Sequence, residues 1–541
     1  MSHASRQIDT HLQYGKRLHG AGRLAEAGQV YQQVLSVAPA HPEALHMMGV
    51  LLLQMGQPAQ ALAWIERAIG ASGENAGGAK AGGAAASARG ADGSVAAFHV
   101  HRAHALLALG RAAEAAAACR VALQLKGGNA EAHQALGHAL TDTHDYGGAL
   151  KAYQDAARLK PDLPDLLNNL GTALHHANQL EAAARTLTRA HGREPRDPGI
   201  LVNLSSVLRD LGLFEQAEAR LAAAARLAPD DPRVRYNHAL LMLLLGRFDK
   251  AWPGWEDRFR AGAVRDRGLA KPRWHGEALA GRTLLIHAEQ GLGDTIQFCR
   301  FPFPADGPVL FEVQPRIARL LAGLRNAPAI VRAGEALPEF DLACPLMSLP
   351  AIHGTTEATI PRDIPYLSAE PDSVARWRER LGDHGFRVGI AWQGNPSRRE
   401  DTGRSIRLEH YPPLASVSGV RLISLQKDAG AEQLVPGMTV ESLGEDFDSG
   451  PDGFIDTAAV MMSLDLVITS DTAVAHLAGA LGRPVWVALR AVPDWRFMLE
   501  RTDSPWYPTM RLFRQTARDD WAPVFDAMRE ALVARVAGSD G

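Results

Sequence analysis

The sequence predicts an α-plus-α/β protein: a superhelix of helical repeats followed by two parallel-sheet α/β lobes facing each other. Three observations carry this expectation. Small residues recur every 34 positions through the first half of the chain, with one slip of register between the second and third repeats. From Gly281 onward the helical pattern gives way to alternating strand-like and helix-like stretches. Within that second half, residues 467–487 read as strand, tight turn, helix, glycine stop and strand. At 541 residues the chain exceeds what one core serves, so several domains are expected.

In the first half, Gly15, Gly49, Ala103, Gly137, Gly171, Ser205 and Ala239 share one column. Ala27, Ala61, Ala115, Ala149, Ala183, Ala217 and Ala251 share a second, and Tyr31, Ile65, Cys119, Tyr153, Leu187, Leu221 and Trp255 a third. Pro39, Pro161, Pro195 and Pro229 end their units. This spacing resembles tetratricopeptide repeats (TPR) over residues 8–260. The resemblance implies two antiparallel helices per unit, stacked because one unit cannot bury its apolar face alone. Residues 71–95 are rich in Gly, Ala and Ser and read as a flexible insertion, with a degenerate alanine helix as the alternative. Asn169, Asn203 and Asn237 fall at one place in three successive units. Such amides can bind an extended peptide backbone or serve helix packing. A similar asparagine ladder lines the groove of O-linked N-acetylglucosamine transferases, so a protein or peptide partner is expected there. His99, His101 and His104 read as a polar helix face rather than a metal cluster. The aromatics Trp252 and Trp255 are expected to cap the array and dock it on the second half of the chain.

Composition narrows the partners. A net charge of −3 gives no reason to expect nucleic acid, and 46% apolar with 22% charged residues is ordinary for a globular protein. No apolar run is long enough to span a membrane and no signal peptide is visible, so a cytoplasmic location is the expectation. Cys119, Cys299 and Cys344 are scattered and read as reduced thiols.

The second half reads in order. Residues 283–287 form a strand, a glycine turn at 290–297 leads into a helix, and 308–313 form another strand. A helix at 317–324 and short strands at 330–332 and 340–343 complete a first lobe over 281–365. The proline-rich stretch 361–371 suits a linker. A second lobe over 372–538 starts with a helix at 374–381 and a strand at 387–392. A loop to Ser405, a helix near 410–415, a strand at 421–425 and a helix at 457–463 lead to the 467–487 unit. A last helix, 521–536, is expected to cross back to the first lobe.

The turn Gly291-Leu292-Gly293-Asp294 resembles the first turn of the bacterial heptosyltransferases of glycosyltransferase family 9. So does Ser470-Asp471-Thr472-Ala473-Val474-Ala475-His476-Leu477 in the second lobe. Val388-Gly389-Ile390-Ala391-Trp392-Gln393-Gly394-Asn395-Pro396 is similar to the strand and loop that open that lobe. The resemblance covers residues 281–520, and the fusion to a TPR array resembles a recurring bacterial architecture. It implies the GT-B fold of two Rossmann-like lobes, with an inverting transfer from a nucleotide sugar as substrate and no cofactor. Asp294 matches the family's catalytic aspartate, although an aspartate there also serves as a helix N-cap.

Candidate donor contacts come from the residues themselves. Gly291 and Gly293 let the backbone approach a ligand. A leaving diphosphate would sit over the N–H groups of Thr472, Ala473 and Val474 at a helix start. Asp471, itself an anion, is expected to cap that helix or to hold a sugar or ribose hydroxyl. Ser470 ends the strand, and His476 lies one turn along, as a packed residue or a ligand contact. Gly394 and Asn395 begin a loop over the donor. The resembled family places a lysine after this strand; here Arg398, Arg399, Arg404 and Arg407 are the cations, and Arg404 is favoured by the turn that Asp401 and Gly403 imply. Gln426 is expected at the nucleobase or ribose, and Trp495, Arg496, Trp506 and Tyr507 as a sugar or acceptor wall. Asp446-Phe447-Asp448 is a DxD string, read as a loop rather than a metal site. The rival reading is a TPR scaffold with a catalytically silent nucleotide-sugar-binding domain.

Overall fold

The computed structural model describes residues 3–73, 88–396, 401, 403–435 and 437–539, without the side chains of 3–5, 88–93 and 539. The chain divides into two compact units, Met1–Pro195 and Arg196–Gly541.

The first unit is built of helical pairs. They are α1 (His3–Gly20) with α2 (Leu24–Val37), α3 (Pro42–Gln54) with α4 (Pro58–Ala71), and α5 (Ala88–Ala108) with α6 (Ala112–Leu125). Then come α7 (Ala130–Asp142) with α8 (Tyr146–Leu159) and α9 (Leu166–His176) with α10 (Leu180–Arg193). The second unit opens with two more pairs, α11 (Pro198–Asp210) with α12 (Phe214–Leu227) and α13 (Pro232–Leu244) with α14 (Phe248–Trp255). Local chemistry starts these helices. Pro occupies the first turn of α3, α4, α11 and α13, where its missing N–H costs nothing. Asn129, Asp145, Asp197 and Asp231 accept backbone N–H bonds as N-caps.

The columns act as the spacing predicts. A Cβ placed on Gly137 would lie 2.6 Å from the Tyr153 ring, and one on Gly171 would lie 2.5 Å from Leu187. The small column is therefore what lets the first helix of a pair reach the bulky column of the second. Ala27, Ala61, Ala115, Ala149, Ala183, Ala217 and Ala251 are all 0% exposed. The expected insertion at 71–95 is shorter at its far end, because α5 already begins at Ala88; residues 74–87 lie outside the described residues.

The rest of the second unit holds two sheets, parallel throughout. The front sheet comprises β1 (Leu284–His287), β2 (Val309–Val313), β3 (Ala329–Arg332) and β4 (Leu342–Pro345), in the order β3-β2-β1-β4. Its helices are α15 (Leu292–Phe298), α16 (Ala318–Leu321) and α17 (Leu349–Ile352). The rear sheet comprises β5 (Phe386–Ala391), β6 (Val420–Ser424), β7 (Val440–Glu441), β8 (Leu466–Ser470), β9 (Val485–Leu489) and β10 (Met510–Arg514), in the order β10-β9-β8-β5-β6-β7. Its helices are α18 (Pro371–Leu381), α19 (Pro412–Ala415), α20 (Ile455–Met461), α21 (Ala473–Ala480) and α22 (Ala522–Ser539). Strand order reverses between β1 and β4 and between β5 and β8. Crevices beyond the carboxyl ends of strands at such reversals are where open α/β sheets bind ligands.

Two joints tie these parts together. Trp252 and Trp255 of α14 donate their indole N–H groups to the carbonyls of Thr355 (2.6 Å) and Met347 (2.7 Å) of the front lobe. The 361–370 stretch is pinned from both sides: the Tyr366 backbone N–H reaches Ala480 O (3.0 Å) and its hydroxyl donates to Ile296 O (2.9 Å). The last helix differs from expectation. Trp521, Val524, Phe525, Met528 and Leu532 pack with Val388, Ile390, Tyr411 and Leu414 in the rear core, so the apolar face of α22 is spent on its own lobe.

Gly137→Ala and Gly192→Ala separate packing from propensity. The first drives a methyl into Tyr153 and is expected to destabilise by about 1–3 kcal/mol. The second meets nothing within 4 Å and is expected to stabilise by up to about 1 kcal/mol through helix propensity. Urea unfolding followed by circular dichroism reads both.

Candidate functional site

The reversal points of the two sheets lead to one place, where the starts of α15 and α21 touch. A Cβ on Gly293 would lie 3.2 Å from Ala473 Cα and 3.2 Å from His476 Cδ2. Gly293 is thus required by the approach of two helices. Gly291 is the N-cap of α15 in extended backbone, φ −74°, and a Cβ there would meet only the Asp294 carboxylate, at 3.2 Å. Asp294 Oδ2 accepts the Gly291 N–H at 2.8 Å; Gly291 is the N-cap, so Asp294 reaches back from the third helical position instead of being the N-cap the sequence allowed. Its Oδ1 is ion-paired with Arg496 Nη2.

On the rear side, β8 is buried along its length, and the chain then turns sharply into α21. The N-cap is Thr472, extended at φ −138°, and no side chain caps the helix. Asp471 does not cap as the sequence reading allowed, and the Thr472 hydroxyl lies 3.1 Å from that of Thr469 instead. The first N–H groups of α21, at Ala473 and Val474, therefore begin an uncapped helix start. Ser470 Oγ is buried without a hydrogen-bond partner. Burial pushes the Asp471 carboxyl up to about 6, against the pull of Arg404. His476 is packed: its Nδ1 lies 3.1 Å from the Tyr507 hydroxyl, and burial, reinforced by the Arg496 and Arg300 charges, pushes it down to about 3.

The loop after β5 completes the surround. Gly394 N–H donates to Ser405 Oγ at 2.9 Å, and Ser405 Oγ donates to Asp401 at 2.7 Å. The turn expected at Asp401 and Gly403 is present: Arg404 N–H bonds to Asp401 O at 2.9 Å, with Gly403 at φ +70°. Arg404 Nε is buried, 3.7 Å from Asp401 and without a hydrogen-bond partner. Asn395 is exposed, Arg407 pairs on the surface with Glu409 at 2.9 Å, and Arg398 and Arg399 lie outside the described residues.

Several expected contacts are used up internally. Gln426 Oε1 accepts from Trp392 N and Gln393 N, and its Nε2 donates to Gln393 O and Ala429 O. The amide staples two loops and has nothing left for a nucleobase. Trp495, Trp506 and Tyr507 are buried core residues, not a wall. Of the DxD string, Asp446 pairs with Arg380 at 2.7 Å, and Asp448 accepts the Asp456 N–H at 2.9 Å at the start of α20. In the first unit, Asn169 bonds to His138 at 2.8 Å, and His101 Nδ1 bonds to Ala97 O at 2.9 Å. In the second, Asn237 bonds to Arg233 O and accepts from Ser206, while Asn203 is half-buried on α11. Among the described residues, no group of three His, Cys, Asp or Glu has the geometry of a metal site.

The residues that sequence reasoning missed are charged partners. Arg496, read as a wall, donates to Gln297 Oε1 (2.8 Å), Asp494 (2.8 Å) and Asp294. Burial lowers its pKa, but Asp494 and Asp294 more than offset this and the net direction is up. Glu289, just before the glycine turn, is held by Arg258. The only signal for Asp494 and Arg496 is their place after β9, at the carboxyl edge of the sheet.

Gly293→Ala must part the two helix starts by a few tenths of an ångström and is expected to cost about 1–3 kcal/mol. Gly291→Ala should cost less, since only the tip of one side chain, the Asp294 carboxylate, is in its way. Thermal unfolding compares them. His476 also fixes a pH dependence. Its ordinary value is about 6.5 and its folded value about 3, so the folded state binds fewer protons between them. Stability is lost as pH falls through that window. Asp471 opposes this between about 6 and 4, where the folded state binds more protons. His476→Gln should flatten the acid slope by on the order of a few kcal/mol, read by denaturant unfolding with tryptophan fluorescence.

Comparison with known proteins bears on the repeats. A tetratricopeptide repeat model matches residues 18–80 and 174–241, and a TPR repeat model matches 137–178. Protein FlbA of Caulobacter vibrioides is 28% identical over 318 residues, covering 52% of each protein; the chain thus spans about half the length of that curated relative. Among solved structures, YrrB, a TPR protein with an unusual peptide-binding site, is 22% identical over 31% of this chain and 87% of its own, with a TM-score of 0.26. A tetratricopeptide repeat protein of Parabacteroides merdae is 14% identical over 49% of this chain and 95% of its own, with a TM-score of 0.36. PilF of Pseudomonas aeruginosa is 18% identical over 41% and 91%, with a TM-score of 0.32. No helix among the described residues is long and apolar enough to cross a membrane. The N-terminal region of the chain carries tetratricopeptide repeats, and parallel α/β sheets come after them.

Proposed function

We propose that the chain is an inverting glycosyltransferase of the GT-B kind, similar to the heptosyltransferases, that moves a sugar from a nucleotide diphosphate to an acceptor bound by the repeats. A protein is the acceptor class the repeats favour, and the cytoplasm is the location that goes with it. The observation that carries this reading is the convergence of two sheet-reversal points, with Asp294 on one side and the uncapped start of α21 on the other. In the reaction, the acceptor hydroxyl gives its proton to Asp294, whose oxygens each keep a lone pair beyond their present bonds. The acceptor oxygen attacks the anomeric carbon. The bond from that carbon to the diphosphate breaks, and its electron pair leaves with the diphosphate. The N–H groups of Ala473 and Val474 and the Arg404 guanidinium meet the charge that develops. No cofactor enters this scheme.

One observation favours the rival, a TPR scaffold over a silent nucleotide-sugar binder: the Asp294 carboxylate is already occupied by Arg496 and Gly291. Asp294→Asn separates the two. For a transferase, it should lower transfer by roughly 10²–10⁴-fold while nucleoside diphosphate affinity stays within about twofold. Arg404→Ala should weaken that affinity by about tenfold, the ~1.4 kcal/mol of a charge-assisted contact. Calorimetric titration with nucleoside diphosphates and a transfer assay with labelled nucleotide sugars check both. Tight binding with no transfer by the wild type would establish the silent binder.

A further inference from the structure

The turn from Glu289 to Asp294 is held at both ends by buried guanidinium groups that come from different parts of the second unit. At the near end, Arg258 comes just after α14, the last helix of the repeats, and is 0% exposed. Its Nη2 reaches Glu289 Oε1 at 3.0 Å and its Nε reaches Oε2 at 3.2 Å. The same Nη2 donates to Ser348 Oγ at 2.8 Å. Glu289 Oε1 also accepts the Met347 N–H at 3.1 Å, so the carboxylate is fixed in direction as well as in place. At the far end, Arg496 holds Asp294 while Asp494 and Gln297 occupy its other nitrogens.

The two arginines are linked through one aromatic cluster. The Arg496 guanidinium lies 4.7 Å from the ring centroid of Trp495. Trp495 meets Trp255 of α14 edge to face at 5.8 Å and Phe248 at 6.4 Å. On the other flank it meets Trp506 at 6.0 Å and Phe298 of α15 at 6.2 Å. The Arg258 guanidinium in turn lies 5.1 Å from the Trp255 ring centroid. A ring shared by the helical pair, the front helix and the rear loop leaves little freedom for either guanidinium.

We propose that Arg258 and Arg496 are positioning residues, and that the terminal helical pair α13–α14 sets where the Asp294 carboxylate points. The pair is then part of the site and not a separable tether. Substituting either arginine frees one end of the turn, because lysine reproduces neither the two-pronged grip of Arg258 on Glu289 nor the span of Arg496 across Asp294, Asp494 and Gln297. The identity of Asp294 as the proton acceptor rests on the proposed transferase function; the mechanical claim does not.

The test uses the full chain as wild type, Arg258→Lys, Arg496→Lys and Trp255→Phe. Hydrogen exchange is followed on peptides covering 289–298, with the β5–β6 region as an internal control for folding. Exchange at 291–295 should rise roughly tenfold in both arginine variants, and by a smaller factor in Trp255→Phe, with the control region unchanged. Unchanged exchange at 291–295 in Arg258→Lys overturns the proposal. So does a rise that spreads equally to β5–β6, which would mark general loosening. In parallel, Arg258→Lys should lower kcat for sugar transfer by about tenfold with the donor KM unchanged, since a misdirected base loses rate and not ground-state binding. A raised KM with kcat intact would also count against it. A wild type that transfers no sugar would remove the transferase reading, while the exchange result still decides whether the helical pair holds the turn.

Discussion

The architecture of the second unit depends on one missing side chain, at Gly293. Without a Cβ there, the starts of α15 and α21 come into contact, and the carboxyl ends of two parallel sheets are brought to the same place. Helix starts carry roughly half a positive charge each, so two of them side by side repel. The surrounding carboxylates, Asp294, Asp471 and Asp494, offset this. They are offset in turn by Arg404, Arg490 and Arg496, all of which act on the buried Asp471. The result is a site of alternating charge rather than a one-signed pocket. Buried ion pairs of this kind add little net stability, because desolvation takes back most of the attraction, but breaking one leaves a stranded charge. Their effect is to fix geometry.

The same logic explains why so much aromatic surface surrounds the charges. Trp255, Phe298, Trp495 and Trp506 form a continuous packed body next to the Arg496 guanidinium. Water is excluded there, so each charge-assisted bond is stronger than it would be at the surface. The same rings belong to three elements that are far apart in sequence, which is why the last helical pair shares a core with the lobes.

The range of each interaction decided whether it could be read from the sequence. The repeats were legible because their packing is periodic and local. Gly137 faces Tyr153 sixteen places on, as the columns require, and every alanine of the second column is fully buried. Strands β1 to β6, β8 and β9 were legible as short apolar runs between turn residues, whereas β7 and β10 were not read. The reversal of strand order beside β8 is visible only in the sheet, but the βαβ unit that starts with β8 was legible in the strand, turn and glycine stop around Asp471. The ion pair of Arg496 with Asp294 was not, because the two are separated by β2 to β9 and neither has a local pattern that names the other. Gln426 was misread for a different reason. An exposed-looking amide after a strand is equally suited to a ligand or to the backbone of the neighbouring loop, and only the fold shows that Trp392, Gln393 and Ala429 have taken it. Tryptophans after a strand are ambiguous in the same way, and Trp495 and Trp506 fell to the core.

The distribution of spare bonding capacity argues how an anion would enter under the proposed function. Arg496 is spent on Gln297, Asp494 and Asp294, so it serves geometry. Arg404 is different: among the described residues its buried Nε has no hydrogen-bond partner and its nearest carboxylate, on Asp401, is 3.7 Å away, beyond hydrogen-bonding range. A diphosphate arriving over the start of α21 therefore finds its cation in Arg404 without breaking the pair that holds Asp294. Asp471 would oppose such a ligand if fully ionised. Burial has already moved it up to about 6, and a second anion beside it would move it further in the same direction. Proton uptake by Asp471 then accompanies anion binding, and the carboxyl so formed can donate to a phosphate or hydroxyl oxygen instead of repelling it. On this account the carboxyl that takes up a proton as the diphosphate binds sits on the rear lobe, and the carboxylate that takes the acceptor's proton, Asp294, sits on the front lobe.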